Sequence, residues 1–406
     1  MKIDNVVLKP ISDSRGEPTI EVGIKTGGGE FSAQIPSGKS RGSREAAVLP
    51  PEKAGETLEF FKKEIIGKDF KNIKDFDGSL IVLDGTPNKA KLGGNLMLGL
   101  SLSFARALAY ENNFELWQVL KSEFFSASPT GGPASAESEP PRIFSNFIGG
   151  GVHAKNNLAI QEFWVVAESK GGAAETCRKL LEFYESVGWV LKEQYGLSEL
   201  KVGDEKAYSL DFRNNFEPIE VLGREIEKNR LAGEFSLGLD VAASSFYEDG
   251  LYVFEGKKLT SGELEGVYSD YFRKVPLLSS IEDPFDERDE AAFVKFSSTW
   301  GDEKLVIGDD LTVTDPALIK VAAAGKMVGG VIIKPNQIGT VSETCAAINA
   351  AHENGLKCIV SHRSGETADN FLIHFAKAGG AYGVKIGAPA GERLLKFQEF
   401  VRLYPR

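Results

Sequence analysis

Cysteine is scarce in this chain. There are three (Cys177, Cys345 and Cys358) among 406 residues, odd in number and without a CxxC pair. That argues against a disulfide framework or a thiolate zinc site and points to a reducing compartment. Basic runs are missing as well. With 58 acidic against 47 basic residues the formal charge is −11, and no lysine or arginine stripe is present, so nucleic acid is not expected as a partner. No apolar stretch approaches the roughly 18 residues of a membrane span. The opening MKIDNVVLKPISDSRG has no apolar signal-peptide core, so neither a membrane contact nor secretion is expected, and the predicted location is cytoplasmic. What the chain has in quantity is core material. At 42% hydrophobic and 26% charged residues it can bury a large interior and divide into two domains.

The first third reads as an α+β unit. Apolar-polar alternation in 19–24 and 31–35, around Gly27-Gly28-Gly29, predicts a β-hairpin. Residues 52–125 read as several helices, one of them along Leu96, Leu98, Leu100, Leu102, Ala105 and Leu108. The stretch SASPTGGPASAESEPPR (126–142) is aperiodic and rich in Ser, Pro, Gly and Ala, so it reads as a linker. The expected division is a capping domain at 1–125, the linker at 126–142 and a catalytic domain at 143–406.

In that second domain six short apolar runs end in a polar or charged group: LGLD at Asp240, SSIED at Glu282, LVIGD at Asp309, GVIIK at Lys334, IVSHRS at His362 and YGVK at Lys385. Their spacings are 42, 27, 25, 28 and 23 residues by subtraction, close to the roughly 25 to 30 that a strand, a helix and two loops require. That rhythm predicts a β/α barrel of the TIM type. Helices are expected along Cys177–Leu191, near 217–232, 262–274, 287–299, 340–354, 366–378 and 391–402, and in TDPALIKVAAAG, where Asp315 is the N-cap, Pro316 opens the first turn and Gly325 follows the end.

Strand ends in such a barrel converge on one mouth. Asp240, Glu282 and Asp309 would then offer hard oxygen ligands to a divalent metal, Mg²⁺ above all. Taken singly each reads as a strand-end turn or cap; in register they read as a metal site. Lys334 and Lys385 read either as solvated rim charges or, beside metal ions, as lysines with depressed pKa, one of which can act as a base. His362-Arg363-Ser364 offers three donors suited to phosphate or carboxylate, or else a loop bonded to itself. The glycines of GGGVHAKN lack the GxxxxGK[ST] arrangement and read as a mobile loop. Glu162 and Glu205, taken alone, read as surface residues.

The stretches SDSRGEPTIEV, IPSGKSRGSREA, LGLSLSFARA, GGGVHAKNNLAIQEF, VGDE, GLDVAAS, SIEDPFDE, GDDLTVT, IKPNQIGT, SHRSGET and VKIGAP together resemble the enolases, the phosphopyruvate hydratases of glycolysis, over nearly the whole length. The resemblance implies an N-terminal α+β cap and a β/α barrel with irregular first units. It implies metal-dependent dehydration of 2-phosphoglycerate to phosphoenolpyruvate, a small anionic substrate, and a homo-oligomer, dimer or octamer. It also implies two Mg²⁺ ions, the first on Asp240, Glu282 and Asp309, the second reached by Ser40 and completed by substrate. Lys334 is implied as general base and Glu205 as general acid assisted by Glu162. His153 and Gln161 would line the substrate site, Arg363 and Ser364 would hold phosphate, and Lys385 would hold the substrate carboxylate with His362 close by. Such chemistry asks for a lysine pKa shifted down and a glutamic acid pKa shifted up.

The chain departs from the family pattern at several points. Lys206-Ala207 stands where Gly-Gly is usual after GDE, Ser245 replaces an acidic residue, Gly149-Gly150-Gly151 replaces Asn-Gly-Gly, and Val152 precedes His153. These departures keep two alternatives open: a paralogue acting on a related phospho- or phosphono-carboxylate, and a non-catalytic protein on the same fold.

Overall fold

The computed structural model describes residues 1–39, 42–125 and 139–405. The chain begins with an antiparallel three-stranded sheet, Asn5–Ser12, Pro18–Thr26 and Gly29–Ile35. The predicted hairpin is there, with Thr26 paired to Gly29 across a two-residue turn. The strand Asn5–Ser12 carried no alternation signal because it is an edge: only Val6 in it is buried, and its Pro10 forfeits no central ladder bond. Helices Pro51–Phe61, Ile73–Asp84, Gly94–Glu111 and Leu116–Phe124 follow. The helix Gly94–Glu111 lies so close to the sheet that a Cβ on Gly99 would sit 2.5 Å from a methyl of Val22.

All six predicted run ends belong to one barrel, built by Phe235–Asp240, Leu278–Glu282, Leu305–Gly308, Gly330–Ile333, Lys357–Ser361 and Gly383–Ile386, successive strands pairing in parallel. Two earlier strands, Arg142–Gly149 and Glu162–Ala167, complete it, and Gly383 pairs with Arg142 to close the ring. Arg142, the last residue of the expected linker, thus opens a barrel strand; 126–138 lie outside the described residues. Glu162–Ala167 runs antiparallel to both neighbours. Its first residue, not its last, therefore reaches the mouth, with Glu162 paired to Asp240.

The long 42-residue interval contains a small sheet, Tyr247–Glu248, Leu251–Phe254 and Lys257–Leu259, ahead of the helix Ser261–Lys274. The helix at 316–324 has the predicted punctuation, with the Asp315 carboxylate accepting from the Ala317 N–H at 2.7 Å and Gly325 as its C-cap. The expected helix at 366–378 is shorter, Phe371–Gly379. The preceding residues are committed to the capping domain, where Gly365 bridges Ser37 and Asp369 pairs with Arg106. Among the described residues no helix is long and apolar enough to cross a membrane.

Candidate active site

The barrel mouth holds a dense set of buried charges. Asp240, Glu282 and Asp309 are all under a tenth exposed, each carried there by the strand that precedes it. Lys385, on the last strand, extends into this group. Its Nζ lies 2.9 Å from Asp240 Oδ2, 3.0 Å from both Glu282 oxygens and 3.3 Å from Glu162 Oε1. The same ammonium sits 4.5 Å from the centre of the Trp164 ring. Lys334 pairs with Asp309.

Burial pushes both lysines down, but the facing carboxylates, Asp309 for Lys334 and Asp240 for Lys385, outweigh it and hold both above their ordinary value. This is opposite to the depressed lysine expected from sequence. The carboxylates set the direction, and a divalent cation taking up their charge would reverse it. Burial and then Asp240 push Glu282 well above the usual carboxylate range. Three buried carboxylates here face two lysines, and their hard oxygens fit a cation such as Mg²⁺. Asp283, Asp309 and Asp310 also bring oxygens within 4.8 Å of one another. Asp283 differs from a ligand in kind: its two oxygens accept the backbone N–H groups of Asp309 (2.9 Å) and Asp310 (2.7 Å). With a left-handed φ of 41°, it shapes the loop that presents Asp309.

The same pocket is lined by Glu162, Glu205 and His153. The His153 Nδ1 is 3.7 Å from Glu162 and 3.6 Å from Glu205, and His362 Nε2 is 3.4 Å from Glu205. Neither imidazole nitrogen has a hydrogen-bond partner among the described residues. Burial lowers the pKa of both imidazoles, His362 to about 4. Glu162 is held well above its ordinary value by burial and by the charge of Glu205. Burial also pushes Glu205 up, but His362, His153 and the buried Arg393 together draw it below the usual range. The two carboxyls are thus pushed in opposite directions, Glu162 up and Glu205 down, the reverse of the raised value that the acid role asks of Glu205. Trp164 Nε1–H donates to Glu162 Oε2 at 2.7 Å, and Asn146 to Glu205 at 3.2 Å.

Lys206, which sequence places next to Glu205, turns away. Its side chain crosses Gly391, with Cε 3.0 Å from where a Cβ would sit there, and its backbone takes a left-handed φ of 63°. Gln161 donates to Asp240 at 3.2 Å and leaves its Oε1 unpartnered in the pocket. Arg363 is held by Glu45 from the capping domain at 3.1 to 3.2 Å and by Asn336 at 2.7 Å. Ser364 accepts from the Lys39 N–H at 3.0 Å. Ser40 lies outside the described residues; beside it Lys39 pairs with Asp204 at 3.0 Å.

Except for Ser40, the residues singled out in the sequence converge on this mouth. Asp283, Asp310, Glu45, Asn146, Trp164 and Arg393 were missed. The doubled acids of IEDP and GDD were a visible signal for the first two; nothing in the sequence marked Arg393.

Comparison with known proteins agrees with this geometry. The family described as "Enolase, N-terminal domain" matches residues 3–120, and "Enolase, C-terminal TIM barrel domain" matches residues 140–405. Over 416 residues the chain is 38% identical to "Enolase" of Aeropyrum pernix, covering 99% of this chain and 93% of that protein. It is 36% identical to "Enolase" of Methanosarcina barkeri over 418 residues, 99% and 94% of the two chains. It is 37% identical to "Enolase 1" of Entamoeba histolytica over 428 residues, 99% and 96%. Matched along both domains and nearly end to end, the chain belongs to the enolase family.

Proposed function

We propose that this chain is a hydro-lyase that dehydrates 2-phosphoglycerate to phosphoenolpyruvate, reversibly, in glycolysis and gluconeogenesis. The observation that supports the reading is one pocket lined both by Lys334 with Asp240 and Asp309 and by Glu162 and Glu205 with two histidines. Such a set offers a base and an acid to one substrate, as an elimination requires.

In this mechanism Lys334 Nζ, as the free amine, takes the proton from the carbon that bears the substrate carboxylate. Glu205 in its protonated form, assisted by Glu162, delivers a proton to the departing hydroxyl, so that water leaves and the carbon–carbon double bond forms. Lys385 pairs with the substrate carboxylate, while Arg363 and Ser364 take the phosphate, the guanidinium held in its plane by Glu45 and Asn336. His153 and Gln161, which carry unpartnered polar atoms, line the substrate. Asp240, Glu282 and Asp309 would hold Mg²⁺, with Ser40 assigned to a second ion completed by substrate; bound there, the metal neutralises the charge that develops on the carboxylate as the proton leaves.

The paralogue reading rests on Lys206-Ala207 and on the altered histidine loop; of these, Lys206 faces Gly391 rather than Glu205. A cytoplasmic homo-oligomer remains part of the proposal. The test is Lys334→Ala followed by exchange of the substrate α-proton with deuterated water: exchange falls below detection while Mg²⁺ binding persists. Normal exchange in that variant removes Lys334 from the base role.

A further inference from the structure

Side chains along a barrel strand alternate between the surrounding helices and the axis, so axis-facing residues stack in layers. The uppermost layer here is the active site. Beneath it Phe144, Trp164, Val166, Ile307, Ile332 and Ile359 form a separate buried apolar cluster. A barrel of this type is filled to its base by further packed side chains. In this chain the strand starts instead contribute Arg142, Ser236, Lys357 and Tyr382, which with Lys304 from the adjoining loop surround a cavity of about 340 Å³.

The polar groups of that cavity are unevenly satisfied. The Arg142 guanidinium lies 4.4 Å, and Lys357 Nζ 4.7 Å, from the centre of the same Tyr382 ring. Arg142 pairs with Glu168 at 3.2 Å, and Glu168 is further neutralised by Lys170 at 2.9 Å. Lys357 and Lys304 have no carboxylate partner among the described residues; Lys304 donates only to the backbone carbonyls of Pro276 and Leu278, at 3.2 and 2.7 Å. Burial pushes both ammoniums below their ordinary value; for Lys357 the charge of Arg142 adds to the effect, and for Lys304 the charge of Glu303 opposes it. The other lining acids, Asp302 and Glu303, are exposed, as is Lys357, while Lys304 is half-buried. Ser280, 2% exposed, also lines the cavity, and its hydroxyl has no partner.

We propose that this hollow at the N-terminal end of the barrel is a second ligand site, for a small oxyanion carried as free phosphate or as the phosphoryl group of a small metabolite. Lys357, Lys304 and Arg142 meet the charge and the Ser280 hydroxyl donates to one oxygen. The cavity holds far more than the roughly 10 to 15 Å³ that a single water centre occupies, so a phosphate fits within it. The apolar layer separates it from Lys334, so a ligand there is not the reacting substrate.

The test is calorimetric titration of the full chain with inorganic phosphate at constant ionic strength. Wild type is expected to take up phosphate at two sites, and Arg363→Ala, which removes the site at the mouth, at one. Adding Lys357→Met to Arg363→Ala should weaken the remaining site at least tenfold, with Lys304→Met as an independent check should the first variant fail to fold. In wild type, a loss of phosphate uptake on Lys357→Met alone is readable even if Arg363 binds no phosphate. Repeating the titration with phosphoenolpyruvate, and counting only the uptake by Arg363→Ala that Lys357→Met removes, separates the sources: tighter uptake assigns a phosphorylated metabolite, weaker uptake the free ion, and either supports the site. No saturable uptake in Arg363→Ala, or uptake unchanged by both lysine substitutions, overturns it.

Discussion

Trp164 touches both Glu162 and Lys385 without itself being a reacting group, and Trp164→Phe isolates one of its contacts. The substitution removes the 2.7 Å indole N–H bond to Glu162 Oε2 but keeps an aromatic face beneath Lys385. A hydrogen bond to a charged or charge-sharing group contributes about 1.5 to 3 kcal/mol. Lost from the transition state, that is roughly a ten- to 150-fold fall in turnover. Trp164→Leu removes the ring as well. A desolvated cation over an aromatic face contributes about 2 kcal/mol, so this variant should fall by a further ten-fold or more. The assay is steady-state phosphoenolpyruvate formation at saturating substrate and Mg²⁺, with thermal melting to verify folding. The expected pattern is a graded loss, wild type above Phe above Leu, carried in kcat more than in KM. Wild-type turnover in both folded variants refutes the reasoning. So does an equal loss in both, which would leave the ring face beside Lys385 without a contribution.

Glu205→Gln should block elimination more than α-proton exchange, because the acid acts after the proton is removed; equal loss of both rates contradicts that order. Lys206→Gly should leave turnover within about twofold, since the lysine points at Gly391. It should raise stability by up to ~1 kcal/mol, because an L-residue in the left-handed region is strained. A tenfold change in rate would place Lys206 in the site after all. Asp77 is buried between the capping domain and the helix Val341–Glu353, where its Oδ2 accepts from the Ser342 N–H, and burial pushes it from 3.8 up to about 6. The folded state then holds the proton more tightly, so the contribution of Asp77 to stability is full below pH 3.8 and lost as pH rises through 6. The loss is about 3 kcal/mol. Asp77→Asn should out-stabilise wild type by an amount that grows from pH 4 to pH 6.5 and then levels off, as read from denaturant midpoints; an advantage independent of pH would contradict this.

Most of the mouth was legible because its chemistry sits at strand ends and strand ends recur at a fixed interval. Asp240, Glu282, Asp309, Lys334 and Lys385 could be placed on one rim from spacing alone. Glu162 could not, since it opens an antiparallel strand and so reaches the mouth from the opposite direction. Its role came only from family resemblance. The strand Arg142–Gly149 was hidden behind an aperiodic segment and announced itself by no repeat. Charge directions were the least legible feature, because they follow from which group faces which. Adjacency in sequence set Lys206 against Glu205, whereas a left-handed backbone carries it away. Arg393, nearly two hundred positions from Glu205, is one of the charges that holds it down.

The most direct measurement is conversion of 2-phosphoglycerate by the purified chain, with Mg²⁺ and after chelation, followed by phosphoenolpyruvate formation. The predicted result is turnover of roughly 1 to 10³ per second that is abolished by chelation and restored by Mg²⁺. A folded, Mg²⁺-binding protein that forms no phosphoenolpyruvate would contradict the assignment.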